Sequence, residues 1–279
     1  MRIFIIISVF IIGLCAKVIT FSPLPMDKAP QVYAQYHEML QYLEKETGHK
    51  FKFIYSSSYK ELIKNFKEGK IDFIELGALP YVRLKEHFNQ AYPFLTFNSK
   101  YGKPYYTCNL ITTEKNIDTF TDITHVNEVV LTRALSTCGY LMSEHIMKNN
   151  KESLENFHYY YVGTHSNVLL EILLRDNTVG TLKSTVLDKY SQFKFKTIEK
   201  SPNIPGFAFI ANKNTMRMKE INSIKKAILK LDPFKSAHDK DTVSKWSVNT
   251  KYGAIETDPK VYDIVLDSLK KIQIPQEKR

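Results

Sequence analysis

The sequence predicts an α/β chain made of two doubly wound units with a cleft between them. Three observations predict it. Strand-like and helix-like segments alternate, running β-α-β-α-β-α up to residue 88. A second alternating set follows from residue 105 onward. The length, 279 residues, is about two domains' worth at ~150 residues each.

Lys17 to Phe21 reads as the first strand. Gln31 to Thr47 reads as a helix, because Tyr36, Leu40 and Leu43 fall on one face and Gly48 supplies a left-handed stop. Phe51 to Tyr55 is a strand. Ser58 can cap a helix running to Glu68, with Glu61 three positions on as its capping-box partner. Ile71 to Glu75 is a strand and Ala78 to Phe88 a helix. In the second set, Tyr105 to Thr112 and Glu128 to Thr132 are strands and Gly139 to Lys148 is a helix. Phe157 to Val162 is a strand, Ser166 to Arg175 a helix and Thr178 to Leu182 a strand. A short helix from Ser184 to Tyr190 and a strand from Phe195 to Glu199 follow. Beyond a Pro-rich stretch, Phe207 to Ala211 is a strand, and helices over about 216–231 and 259–271 close the chain.

The first 16 residues stand apart. Met1-Arg2 gives a positive start, Ile3 to Leu14 is almost wholly apolar, and Cys15-Ala16 leads into a mixed chain. A run of about a dozen apolar residues after a basic start reads as an export signal, cleaved after Ala16. The competing reading, a buried N-terminal strand, is disfavoured because Lys17 to Phe21 already supplies that strand. Lipid attachment at Cys15 is disfavoured by the bulky Leu14 before it. The expected location is therefore periplasmic.

The net charge is +10, from 39 basic and 29 acidic residues. The excess is spread as Lys among Asp and Glu, which reads as a solvated surface. No basic-aromatic ribbon or helix-turn-helix pattern points to nucleic acid, although a positive field helps gather anions. No G-x-S-x-G elbow, P-loop, dinucleotide glycine pattern or H-E-x-x-H is present, so the chain is expected to be neither an enzyme nor a cofactor or metal carrier. After signal removal Cys108 and Cys138 remain of three cysteines. An oxidising compartment permits a disulfide, and spacing leaves that question open.

Two loops stand where α/β sheets place ligands, between a strand's carboxyl end and a helix start. Ser136-Thr137-Cys138-Gly139 offers two hydroxyls and helix N–H groups, a combination suited to a tetrahedral oxyanion. Gly163-Thr164-His165-Ser166 repeats the pattern, with His165 able to donate a hydrogen bond or to carry charge. Taken singly, each loop also reads as an ordinary capping turn.

At these residues the chain resembles the phosphate/phosphite/phosphonate substrate-binding proteins of ABC transporters. The likeness is carried in order by Phe21-Ser22-Pro23, Tyr59-Lys60-Glu61-Leu62, Gly69 to Phe73, Leu76-Gly77, Tyr81-Val82 and Pro104-Tyr105-Tyr106. It continues through Ser136 to Leu141, Gly163-Thr164-His165 and Ser201 to Pro205. The resemblance implies a type II periplasmic binding fold with 17–104 plus 206–279 as one lobe and 105–205 as the other. It implies a monomer that holds a small oxyanion through Tyr59, Tyr105, Ser136, Thr137 and His165, with Ser22 in a loop beside the cleft. Cys138 stands where the family carries a third hydroxyl. Its partner would be a membrane permease.

Relatives that bind aminoethylphosphonate place acids at two positions that here look like Thr185 and Phe207, with Lys183 nearby. A buried ammonium without a partner is costly, so aminoalkyl phosphonates are expected to bind poorly. Phosphate, phosphite or a small alkyl phosphonate fits better. The alternative is a sensor that presents its ligand to a membrane histidine kinase, for example for arsenite held by a Cys138 thiolate.

Overall fold

The computed structural model describes residues 17–26 and 28–275. The expected signal 1–16, including Cys15, lies outside the described residues. Strand β1 (Val18–Pro23), helix α1 (Ala29–Thr47), β2 (Lys50–Phe53), α2 (Tyr59–Lys67), β3 (Phe73–Leu76) and α3 (Ala78–His87) form the expected alternation. β1 pairs in parallel with both β2 and β3. Local chemistry sets the ends as anticipated. Gly48 takes φ 71° and its N–H bonds Glu44 O, stopping α1. Ser58 caps α2, its Oγ accepting the Glu61 N–H at 3.2 Å, but the expected capping box is not closed: the Glu61 carboxylate accepts from the Ser57 N–H at 2.7 Å, one residue before the N-cap.

β4 (Ala91–Phe97) follows, and the sequence reading did not anticipate it. Pro93 interrupts its pattern. The fold tolerates that proline because the register with a later strand slips there.

The stretch expected as one strand from Tyr105 is two: β5 (Tyr105–Tyr106) and β6 (Cys108–Thr112). Next come β7 (Glu128–Leu131), α4 (Tyr140–Asn149), β8 (His158–Tyr161), α5 (His165–Leu174), β9 (Thr178–Lys183), α6 (Ser184–Leu187) and β10 (Lys196–Lys200). These strands build a five-stranded sheet of order β10-β6-β9-β7-β8. β7 runs parallel to β8 on one side and to β9 on the other, so all three carboxyl ends reach one edge.

β11 (Ile204–Pro205) pairs antiparallel with β5, making a two-stranded link where the chain crosses between the sheets. The chain then rejoins the first sheet through β12 (Ala208–Asn212), α7 (Met218–Leu229), α8 (Ala237–Thr242) and β13 (Ala254–Glu256). The completed six-stranded sheet has order β13-β4-β12-β3-β1-β2. The last helix, α9 (Asp263–Lys271), packs on both α3 and α4 and so touches both halves. The Tyr81 and Tyr262 rings meet at a tilt of 51° with centroids 4.4 Å apart, and His145 Nδ1 hydrogen-bonds Ser268 Oγ at 3.1 Å.

An aromatic core of Phe21, Phe73, Phe94, Phe97 and Phe209 fills the six-stranded sheet beneath α1 and α7. Cys108 and Cys138 are disulfide-bonded, with Cα atoms 5.2 Å apart. Among the described residues, no helix is long and apolar enough to cross a membrane and no cluster of His, Cys, Asp and Glu could hold a metal ion.

Candidate functional site

A cavity of about 810 Å³ opens between the two sheets. Strand polarity builds it. From the five-stranded sheet, β7 delivers the Ser136–Gly139 loop, β8 delivers Gly163–His165, and β9 ends at Lys183. From the six-stranded sheet come Gly77 at the start of α3, Tyr59 at the start of α2, and Phe207 just before β12. Every contribution sits at a strand carboxyl end, a helix start or a crossover, where α/β sheets bind ligands.

The hydroxyl loop is held firmly. No side chain caps α4, whose N-cap is Gly139. Its φ of −79° and ψ of −124° bring it so close to the preceding turn that a Cβ would lie 1.9 Å from Arg133 O. The disulfide ties the same loop to β6 through Cys138. Thr137 is buried, and its Oγ1 accepts the Leu79 N–H of α3 at 3.1 Å. One loop thus bridges to the opposite half through a helix N-terminus.

Thr164 caps α5 by accepting the Asn167 N–H at 3.1 Å, which leaves His165 on the cavity wall. Burial and the nearby Lys183 ammonium pull the His165 imidazole down to about 4. That favours the neutral imidazole at neutral pH over the cation the sequence also allowed. Its Nδ1 is buried with no protein partner.

Lys183 is held differently. Its Nζ lies 4.6 Å from the Tyr106 ring centroid and 4.9 Å from that of Phe207. Burial pulls its pKa down to about 8, against the attraction of Glu75; Lys189 adds repulsion. Glu75 lies in β3, where it accepts from the Tyr36 hydroxyl and, at 2.9 Å, from Asn249 Nδ2. Burial pushes its carboxyl up to about 7.

The sequence-derived residues divide accordingly. Tyr59, Ser136, Thr137, Cys138, His165, Lys183 and Phe207 all line the cavity. Tyr59 donates to Pro80 O at 3.1 Å, and burial pushes its phenol up to about 12. Tyr105 is not on the wall. It is 39% exposed, while its neighbour Tyr106 is 7% exposed and lines the cavity. Successive residues of an extended strand face opposite ways, so a one-residue shift exchanges wall for solvent. Thr185 lies in α6, beyond the strand end, and is also off the wall, leaving Lys183 as the wall residue there. Ser22 is fully buried within β1 instead of lining the cleft. Cys138 is half of a disulfide and presents no thiolate, so the arsenite alternative loses its soft ligand.

Sequence reasoning did not single out Lys28, Lys60 and Arg133, three exposed cations at the cavity rim. Nothing in their local pattern distinguishes them from other surface charges. Among the described residues, no carboxylate lines the cavity.

Comparison with known proteins agrees with this architecture. Residues 21–262 match the family model for the phosphonate periplasmic substrate-binding protein of ABC transporters. A curated relative, the phosphate-import protein PhnD of Mycolicibacterium smegmatis, is 25% identical over 214 residues, covering 70% of this chain and 66% of that protein. A binding protein of an ABC phosphonate transporter from Pseudomonas aeruginosa superposes with a TM-score of 0.70 at 19% identity, over 91% of this chain and 87% of that one. PhnD1 from Prochlorococcus marinus, solved with methylphosphonate, gives 0.71 at 15% identity over 91% and 97%. These two structures show a shared fold, the α/β periplasmic binding protein type. By the extent of the family match, this chain belongs to the phosphonate periplasmic substrate-binding proteins of ABC transporters.

Proposed function

We propose that the protein captures one small phosphorus oxyanion (phosphate, phosphite or a small alkyl phosphonate) outside the cytoplasmic membrane and hands it unchanged to the permease of an ABC transporter. One observation carries this reading. The cavity joins two hydroxyls, a neutral histidine, helix N-termini and four cations, with no carboxylate among its described lining residues. Helix N-termini and hydroxyls suit a tetrahedral anion, and rim cations raise its local concentration. The name of the mycobacterial relative and the methylphosphonate in the cyanobacterial structure support the same ligand class.

In this reading the lobes are 17–104 plus 206–279 and 105–205, and they hinge at the β5–β11 link. Ser136, His165 and the α4 amides bind first. Tyr59, Tyr106 and the α3 amides then close over the ligand, and Thr137 serves as the contact between lobes. No bond is made or broken, so no general base is required. The protein works as a monomer. The sensor alternative has no feature of the cavity in its favour.

A thermal-shift series on the purified protein tests the proposal with phosphate, phosphite, methylphosphonate, 2-aminoethylphosphonate and arsenite. A ligand at 100 times its dissociation constant adds about 2.7 kcal/mol of stability. Stabilisation by a phosphorus oxyanion, abolished by Ser136→Ala, is the expected result. Silence across the three amine-free phosphorus compounds refutes it.

A further inference from the structure

Lys183 is an ammonium on the wall of a cavity that has no carboxylate among its described lining residues. Among the described residues no carboxylate lies within 4 Å of its Nζ, and no hydrogen bond holds it. The nearest influences are the rings of Tyr106 and Phe207, the carboxyl of Glu75 and the ammonium of Lys189. Glu75 is already engaged by Tyr36 and Asn249. Two aromatic faces stabilise a cation but do not neutralise it.

Lys183 ends β9, one strand spacing, roughly 5 Å, from β7 with its hydroxyl loop and two, roughly 10 Å, from β8 with the His165 loop. Tyr106 in the interlobe link and Phe207 at the start of the return strand hold the ammonium on the crossover side. The space also exceeds a bare oxyanion's needs. At about 810 Å³ it falls within the ~300–1,000 Å³ typical of pockets for larger small molecules.

We infer that Lys183 forms a second anionic subsite and that the preferred ligand is a phosphonate bearing a carboxylate a few bonds from phosphorus. The phosphonate end occupies the Ser136–Thr137–His165 side, and the carboxylate supplies the counter-ion that Lys183 lacks. Phe207 and Tyr106 flank the short carbon linker. This inference rests on the phosphorus-oxyanion reading above and narrows its ligand class. It also gives a structural reason for rejecting a ligand ammonium, which would meet Lys183 directly.

Titration calorimetry on the full chain tests it with phosphonoacetate, ethylphosphonate and 2-aminoethylphosphonate. The unmodified protein is expected to bind phosphonoacetate about tenfold or more tightly than ethylphosphonate, the scale of one charge-assisted hydrogen bond. Lys183→Met, which keeps length and contact with the two rings, should collapse that ratio towards one. Lys183→Glu should invert the preference towards 2-aminoethylphosphonate. Equal affinity of the unmodified protein for phosphonoacetate and ethylphosphonate overturns the subsite while leaving the oxyanion reading standing. Equal weakening of both by Lys183→Met also overturns it, because the lysine would then serve the phosphonate group itself. Failure of all three compounds to bind overturns the subsite, and the oxyanion reading falls as well only if phosphate, phosphite and methylphosphonate are silent in the same calorimeter.

Discussion

Replacing Cys108 and Cys138 together by alanine removes the cross-link between β6 and the loop that opens α4. The bond closes a segment of 30 residues in sequence separation. Loop-closure entropy for that length corresponds to about 3–4 kcal/mol of stabilisation through the unfolded chain. For a protein of this size, about 2–4 °C of melting temperature accompany each kcal/mol. The double variant should therefore melt roughly 6–16 °C below the oxidised parent. Both sulfurs are buried, so the alanines expose no new polar group. A calorimetric melt of parent, reduced parent and double variant measures the effect. The reduced parent and the variant should coincide within about 2 °C, the value of less than 1 kcal/mol. The loop carries Ser136 and Thr137, so oxyanion affinity should fall in the same samples. A melting temperature unchanged on reduction refutes the loop-closure reasoning. Lost stability with unchanged affinity refutes the claim that the bond positions the loop.

Further outcomes rest on the same geometry. Gly139→Ala places a Cβ 1.9 Å from Arg133 O, so the loop must move; oxyanion binding should be lost while circular dichroism keeps the parent's α/β signature. Thr137→Val keeps the shape but strands the buried Leu79 N–H, costing about 1–3 kcal/mol in chemical denaturation. Lys183 titrates near 8 in the fold against about 10.4 when unfolded, so between those values the unfolded chain binds more protons and stability rises with pH. Over the same range the ammonium charge is lost and anion affinity should fall, a dependence absent in Lys183→Met. His165, already neutral above about 4, should add no inflection near pH 6.5.

Much of this molecule is legible from its residues because the relevant chemistry is local. Gly48 ends α1, Ser58 caps α2, and hydroxyl-rich turns follow β7 and β8. Each depends on neighbours within four positions. β4 was invisible because Pro93 breaks its pattern, and pairing with β12 on one side and β13 on the other makes it a strand. β13 and α8 are too short, at three and six residues, to show a period.

The site divides along the same line. By itself the sequence determined the alternating order of strands and helices, and hence a sheet edge carrying Ser136, Thr137 and His165. The tertiary structure alone decided which of two adjacent tyrosines faces the cavity, because that depends on the pairing of β5 with β11. It alone joined Cys108 to Cys138, thirty positions apart, since a disulfide requires Cα atoms within about 7 Å and sequence carries no such distance. It alone gathered Lys28, Lys60, Arg133 and Lys183 around one opening with no carboxylate among its described lining residues. Charges scattered along a chain acquire a common field only when the fold removes the distance between them.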